Sequence, residues 1–196
     1  MKKILSLSFI VFALSSGIMA QKGFEVQKEI TVDVSAEALW EMVGPGFIEV
    51  YKWSSNVDHA TGKGNSPFEG AVCDERFCDV NVSGFSKISE KLTHYDKGNM
   101  SLTYAVIGGM PGFVQKAENN WTVVAIDDSH SKLVMKANFE VKGFMGFMMK
   151  GMMKGKMNKT LDTVLMDAKV YAETGQISEN KAKRIAQLEK KNKVAK

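Results

Sequence analysis

The chain has 196 residues, a formal net charge of +4, two cysteines and 44% hydrophobic residues. That length supports one domain with a real core and leaves little for a second. The charge is uneven, because Ser178 to Lys196 holds seven Lys or Arg against two Glu. With that tail and the basic N-terminus set aside, the body is slightly acidic, which argues against a nucleic-acid-binding face in the folded part.

At the N-terminus, Lys2 and Lys3 precede the apolar run ILSLSFIVFAL, and SSGIMA ends at Ala20. This is the pattern of a secretory signal. It predicts cleavage after Ala20 and a periplasmic or secreted product, although Ile18 is bulkier than usual three residues before the cut. No later run reads as a membrane span, since Lys142, Lys150 and Lys154 interrupt the methionine-rich segment. The expected organisation is a signal over 1–20, a single domain over 21–177 and a Lys-rich tail over 178–196. The tail is either a solvated helical extension or disordered, its few apolar residues offering little anchorage.

Phe24, Val26, Ile30, Val32 and Val34 alternate with polar residues, which predicts a half-buried strand. In SAEALWEMV the period changes. Ser35 stands as a cap before Leu39, Trp40 and Val43 on one helical face, and Gly44-Pro45-Gly46 ends the helix. A second short helix, FIEVYK, leads into WSSNVDHA. Strand-like runs follow at AVCDERFCDV, FSKISEKLTHYD, MSLTYAVI, NNWTVVAID and KLVMKANFEVKG. The short turns YDKGN and DDSHS between them predict an antiparallel meander. From about Phe144 to Thr174 the pattern is helical, with Met149, Met153, Met157, Leu161, Leu165, Ala168 and Ala172 on one line and Gly175 as its stop. The fold class is therefore α+β: a curved seven-stranded antiparallel sheet wrapped around a long C-terminal helix, with two short helices after the first strand. One helix across a curved sheet leaves a cavity.

Cys73 and Cys78 are the two thiols. On a continuous strand, at about 3.3 Å per residue, they stand roughly 16 Å apart, beyond the limit of about 7 Å for a bridge. A disulfide needs a turn or bulge there; two buried thiols is the simpler expectation.

The segments VSAEALWEMVG, EGAVCDERF, ISEKLTHYD, LTYAVIGGMP, NNWTVV and AKVYAETGQ, in this order, resemble the Bet v 1-like, START-related superfamily. The likeness is to the bacterial SRPBCC proteins of the polyketide cyclase/dehydrase and lipid transport group. It spans about residues 26–177 and carries no invariant catalytic motif, so it speaks to fold more than to function. It implies a helix-grip fold whose pocket takes lipids, sterols, polyketides or hormones, with catalysis in a minority. In such a fold Met148, Met149, Met152 and Met153 would roof the cavity with adaptable thioethers. Gly143, Gly146, Gly151 and Gly155 would let the helix flex or pass close to the sheet.

Inside that pocket, period-two reading points Glu90 inward with Ile88, Leu92 and His94, and Arg76 inward with Val72, Cys78 and Val80. The two form either a polar end that orients a ligand head group or, as the reading favours, a structural ion pair at the sheet edge. Trp53, Val57 and His59 share a face, which brings His59 toward the mouth, more as a packing residue than as a ligand contact. Tyr104 offers a hydroxyl on a buried face, and Trp121 belongs to the core. His59, His94 and His130 have no nucleophile at a telling spacing. No zinc motif or phosphate-cradling glycine loop appears, so neither cofactor nor metal is expected.

The leading expectation is an exported binding protein for a hydrophobic small molecule or lipid. The alternative is a polyketide cyclase or hydrolase using Glu90, Tyr104 or His59 as acid or base. A lesser reading is Cu(I) held by Met148 and Met152, or by Met149 and Met153, at helical spacing. Transient membrane contact is left open, as is the oligomeric state.

Overall fold

In the computed structural model the described residues are 23–82 and 84–194, so the signal read at 1–20 lies outside them. Seven strands form one antiparallel sheet: β1 Gly23–Val32, β2 Val57–Lys63, β3 Glu75–Val82, β4 Phe85–Asp96, β5 Ser101–Gly108, β6 Val114–Ala125 and β7 Ser131–Val141. Their spatial order is β1-β7-β6-β5-β4-β3-β2, a meander from β2 to β7 with β1 added beside β7. Two short helices, α1 (Ala36–Val43) and a 3-10 helix (Pro45–Lys52), carry the chain from one edge of the sheet to the other. The long helix α2 (Gly143–Thr174) packs along β1 and β7, and α3 (Glu179–Val194) follows it. This is the curved sheet and terminal helix that the pattern predicts.

Local signals act as expected at both helix ends. The Ser35 hydroxyl accepts from the Ala38 N–H at 3.2 Å, a cap contributing about 1 kcal/mol. Leu39, Trp40 and Val43 are buried under α1; full burial of an aliphatic side chain such as Leu39 contributes about 1.5–3 kcal/mol. Gly175 closes α2 in the left-handed conformation, φ +67°, with its N–H on the Tyr171 carbonyl at 2.8 Å. Where α2 leaves β7, a Cβ on Gly146 would stand 2.9 Å from that of Val141, so close passage requires glycine there. Gly151 and Gly155 face open space instead.

Two bulges redirect side chains that simple alternation assigns inward. In β2 the pairing slips between Val57 and His59, so Val57 stays buried and His59 points out against the Tyr51 ring, with centroids 5.8 Å apart. In β4 it slips between Leu92 and His94; His94 is exposed and Tyr95 takes the inward position, its ring 5.2 Å from that of Trp40. One extra residue in a strand reverses which face the following side chains occupy. The run AVCDERFCDV is also shorter as a strand than its composition suggests. It begins at Glu75, leaving Val72 in the preceding loop, 67% exposed, while Cys73 packs inward from that loop. Both cysteines are buried, unbridged thiols.

Of the two alternatives for the Lys-rich tail, the structure shows the helical extension, and what anchors it is polar instead of apolar. Helix α3 is largely solvated along its length, but its first two turns are tied down by polar contacts. The Lys181 ammonium is buried and donates to the Val57 carbonyl at 2.8 Å. Arg184 makes a two-pronged contact with Asp58, at 2.8 and 2.6 Å. Burial pushes the Lys181 ammonium below the usual lysine range, and the neighbouring Asp58 and Asp167 carboxylates oppose that.

Candidate functional site

The concave side of the sheet and the middle of α2 do not fill the space between them. An inner cavity of about 130 Å³ is walled by β3 to β7 and by Met157, Thr160, Leu161 and Val164 of α2. An outer chamber of about 180 Å³ adjoins it, bounded by Phe24, Pro111 and Phe113 and by Met149, Met152 and Met153. Val82, Phe85, Phe139, Met157 and Thr160 line both, so the two chambers share a wall. A dry cavity of about 150 Å³ takes a benzene ring, which sets the scale of the inner one.

The inner end is polar. Arg76, 2% exposed, and Glu90, 4% exposed, pair across β3 and β4, with the guanidinium Nε and Nη2 at 2.8 and 2.7 Å from Glu90 Oε2. Nη1 donates to the Phe47 carbonyl, and the Arg76 Cζ lies 3.8 Å from the centroid of the Phe47 ring. The Tyr104 ring stands beside it, its centroid 5.3 Å from the same carbon and 5.5 Å from the centroid of the Phe47 ring. The pair is therefore inside the grip and on the cavity wall, not at the sheet edge. All three guanidinium nitrogens are engaged. Glu90 Oε1 and the Asn119 side-chain amide have no hydrogen-bond partner among the described residues, and both residues line the cavity. Trp121 lines it too, its buried indole N–H without an acceptor.

Electrostatics follow from this burial. Desolvation works against the Arg76 charge, but the adjacent Glu90 carboxylate outweighs it and the guanidinium is held above its ordinary range. Burial, reinforced by Glu90, raises the Tyr104 phenol well above its usual value. The Cys78 thiol, its Sγ 3.5 Å from Glu90 Oε2, is pushed up to about 12 by burial, with Arg76 opposing. No thiolate or phenolate forms here near neutral pH.

Of the residues singled out in the sequence, Arg76, Glu90, Tyr104 and Trp121 meet at the inner cavity. Trp53 is buried behind it, its ring 6.2 Å from that of Trp121, and packs rather than lines. His59 is outside altogether, for the bulge described above. The methionines divide. Met149 and Met153 are half-buried and wall the outer chamber; Met152 touches that chamber but is 45% exposed; Met148 is 61% exposed and lines neither space. At about 100° per residue, Met148 and Met152 fall opposite the Leu161, Leu165 and Ala168 line that faces the sheet. Several wall residues went unread, and three show why. Asn119 shares the period-two face of Trp121 and could have been found that way, Met157 already stood on the helical line, and Met110 lies in a loop with no periodicity to place it.

A sheet that grips a terminal helix around an apolar cavity with one buried polar end defines the helix-grip class of ligand-binding folds. The chain belongs to the polyketide cyclase / dehydrase and lipid transport family, whose sequence profile matches residues 23–165. Comparison with curated protein sequences returns no match. Among solved structures it is similar to the ZhuI aromatase/cyclase of a Streptomyces species, with a TM-score of 0.62 at 14% identity over 80% of this chain and 99% of that one. It is also similar to a START superfamily protein from Mycobacterium smegmatis (0.53, 18% identity, 72% and 97%). Norcoclaurine synthase from Thalictrum flavum is a third (0.58, 16% identity, 74% and 94%). At these identities the likeness is one of fold.

Proposed function

We propose that this protein binds an uncharged, lipophilic small molecule that carries a hydroxyl or similar donor. The polar group lies against Glu90 and Asn119, and the apolar body runs past Met157 toward Met149 and Met153. The observation that carries this reading is the charge balance at the inner end. Arg76 is neutralised by Glu90 and engaged through every nitrogen, while Glu90 Oε1 and the Asn119 amide have no partner among the described residues. An anionic head group there would leave a net negative charge in a water-poor cavity, at a cost of several kcal/mol. Affinity comes from apolar burial at about 25 cal/mol per Å². Solvent extraction of the purified protein, with native mass spectrometry of added long-chain alcohols, sterols and phenols, tests it. The expected result is one neutral ligand per chain, and no uptake of any class ends the proposal.

A second reading, catalysis on a polyketide-like or other aromatic substrate, is favoured by one observation: a carboxylate and a phenol, Glu90 and Tyr104, line the same cavity. Turnover of candidate substrates unchanged in Glu90→Gln removes its support. The protein acts outside the cytoplasm; the support is the Lys2, Lys3 and apolar pattern ending at Ala20. An intact mass beginning at Gln21 checks it.

A further inference from the structure

The first turns of α2 present an apolar surface that the cavity does not use. Phe144 is 75% exposed, Phe147 76%, Met148 61% and Met145 56%. They cover the outward side of the first two turns, and Met152, 45% exposed at the edge of the outer chamber, extends that side by a turn; the other exposed large hydrophobics among the described residues lie on other elements or further along α2. Large side chains left in water over consecutive turns mark an interaction surface. The charge around them has one sign. From Lys142 to Leu161 the sequence contains Lys142, Lys150, Lys154, Lys156 and Lys159 and no Asp or Glu; Asp162 is the first acid. An apolar face bordered by lysines is the surface of an interfacial helix. Its position is specific as well. Met149, Met152 and Met153 of the same turns wall the outer chamber together with Pro111 and Phe113 of the β5–β6 loop, and the Phe113 carbonyl accepts the Lys142 N–H at 2.8 Å.

We infer that the N-terminal half of α2 docks on an anionic lipid bilayer, with Phe144 and Phe147 entering the headgroup and acyl boundary and the lysines meeting lipid phosphates. The outer chamber then stands beside the membrane, where a lipophilic guest exchanges without crossing water. Docking rests on the helix surface and does not depend on which ligand the cavity holds. Two copies packed face to face would hide the same side chains, but would bring two rows of lysines together, so the charge favours the bilayer.

The test uses the chain from Gln21 onward, which keeps every element described above. It is sedimented with vesicles of phosphatidylcholine alone or with about one-third phosphatidylglycerol. Binding is expected to the anionic vesicles, weakening with salt. At about 1 kcal/mol per lysine near the surface, the double variant Lys154→Gln, Lys159→Gln loses roughly 30-fold. Phe144→Ser with Phe147→Ser loses at least tenfold on the anionic vesicles while keeping the wild-type circular dichroism. Equal binding to both vesicle types, no binding to either, or a lipid-free dimer that the Phe144→Ser, Phe147→Ser variant dissolves would overturn the proposal. Ligand uptake by that variant, measured in solution, separates failure of docking from failure of the cavity.

Discussion

Ser55 gives both its backbone N–H and its hydroxyl to one oxygen of Asp167, at 2.7 and 2.6 Å, across 112 positions of sequence. The other oxygen accepts the Ser178 hydroxyl, and Asp167 is fully buried. This carboxylate ties α2, the segment before β2 and the start of α3 at one point. Asp167→Ala leaves three buried donors without an acceptor, and the expected loss is about 3–5 kcal/mol in urea unfolding. Unfolding within about 1 kcal/mol of wild type would show that the knot is not structural. Truncation after Gly175 removes Ser178, Lys181 and Arg184 together and is expected to lower the same midpoint.

Glu90→Gln separates charge from shape at the inner end of the cavity. The substitution keeps the side-chain volume but strands a buried guanidinium, so stability falls by about 3–5 kcal/mol. Ligand preference should reverse in the surviving folded protein: a long-chain carboxylate gains on the matched alcohol, because Arg76 has lost its counterion. Competition of decanol against decanoate, read by displacement of a fluorescent probe, measures the ratio. An unchanged preference for the alcohol in the variant is the outcome that refutes the charge-balance argument.

Thiol chemistry should be silent in the native state. Burial raises the Cys73 thiol and pushes Cys78 up to about 12, and the thiolate is the reactive form. At pH 8 a disulfide-exchange reagent is expected to release no chromophore from the folded protein and two equivalents in guanidinium. Rapid native labelling of either residue contradicts the packing described for them.

At the far end of α2, Glu173 accepts the Asp33 N–H at 2.8 Å and pairs with Lys169. Burial works to raise its pKa, but these hydrogen bonds prevail and hold it below the usual glutamate range. A folded pKa below the unfolded one means stability that is fully present above about pH 4.5 and lost as pH falls through the folded value. Glu173→Gln should therefore be less stable than wild type at pH 7, and the gap should close toward pH 3. A gap constant across that range would exclude the coupling.

Much of the frame was readable in order. Phe24 to Val32 alternates because one side of β1 is buried, Ser35 caps because its hydroxyl replaces a missing helical acceptor, and Gly175 ends α2 because it adopts a positive φ without cost. Such signals act over a few neighbouring residues and need no knowledge of the rest of the chain. Arg76 and Glu90 were legible for the same reason, as charged residues on inward faces of adjacent strands.

What remained depended on residues distant in sequence or on a single inserted position. His59 and His94 left the interior because bulges in β2 and β4 shift the alternation by one, and no local composition announces a bulge. Met148 and Met152 turned outward because helical phase is set by where α2 meets the sheet. Asp167 and Lys181 acquired partners at Ser55 and Val57 that only folding brings near. Periodicity and capping, being short-range, were decided by the amino-acid order itself; the polar end of the cavity, the anchored tail and the exposed face of α2 were decided by three-dimensional packing, because burial and pairing belong to neighbours that the chain order does not specify.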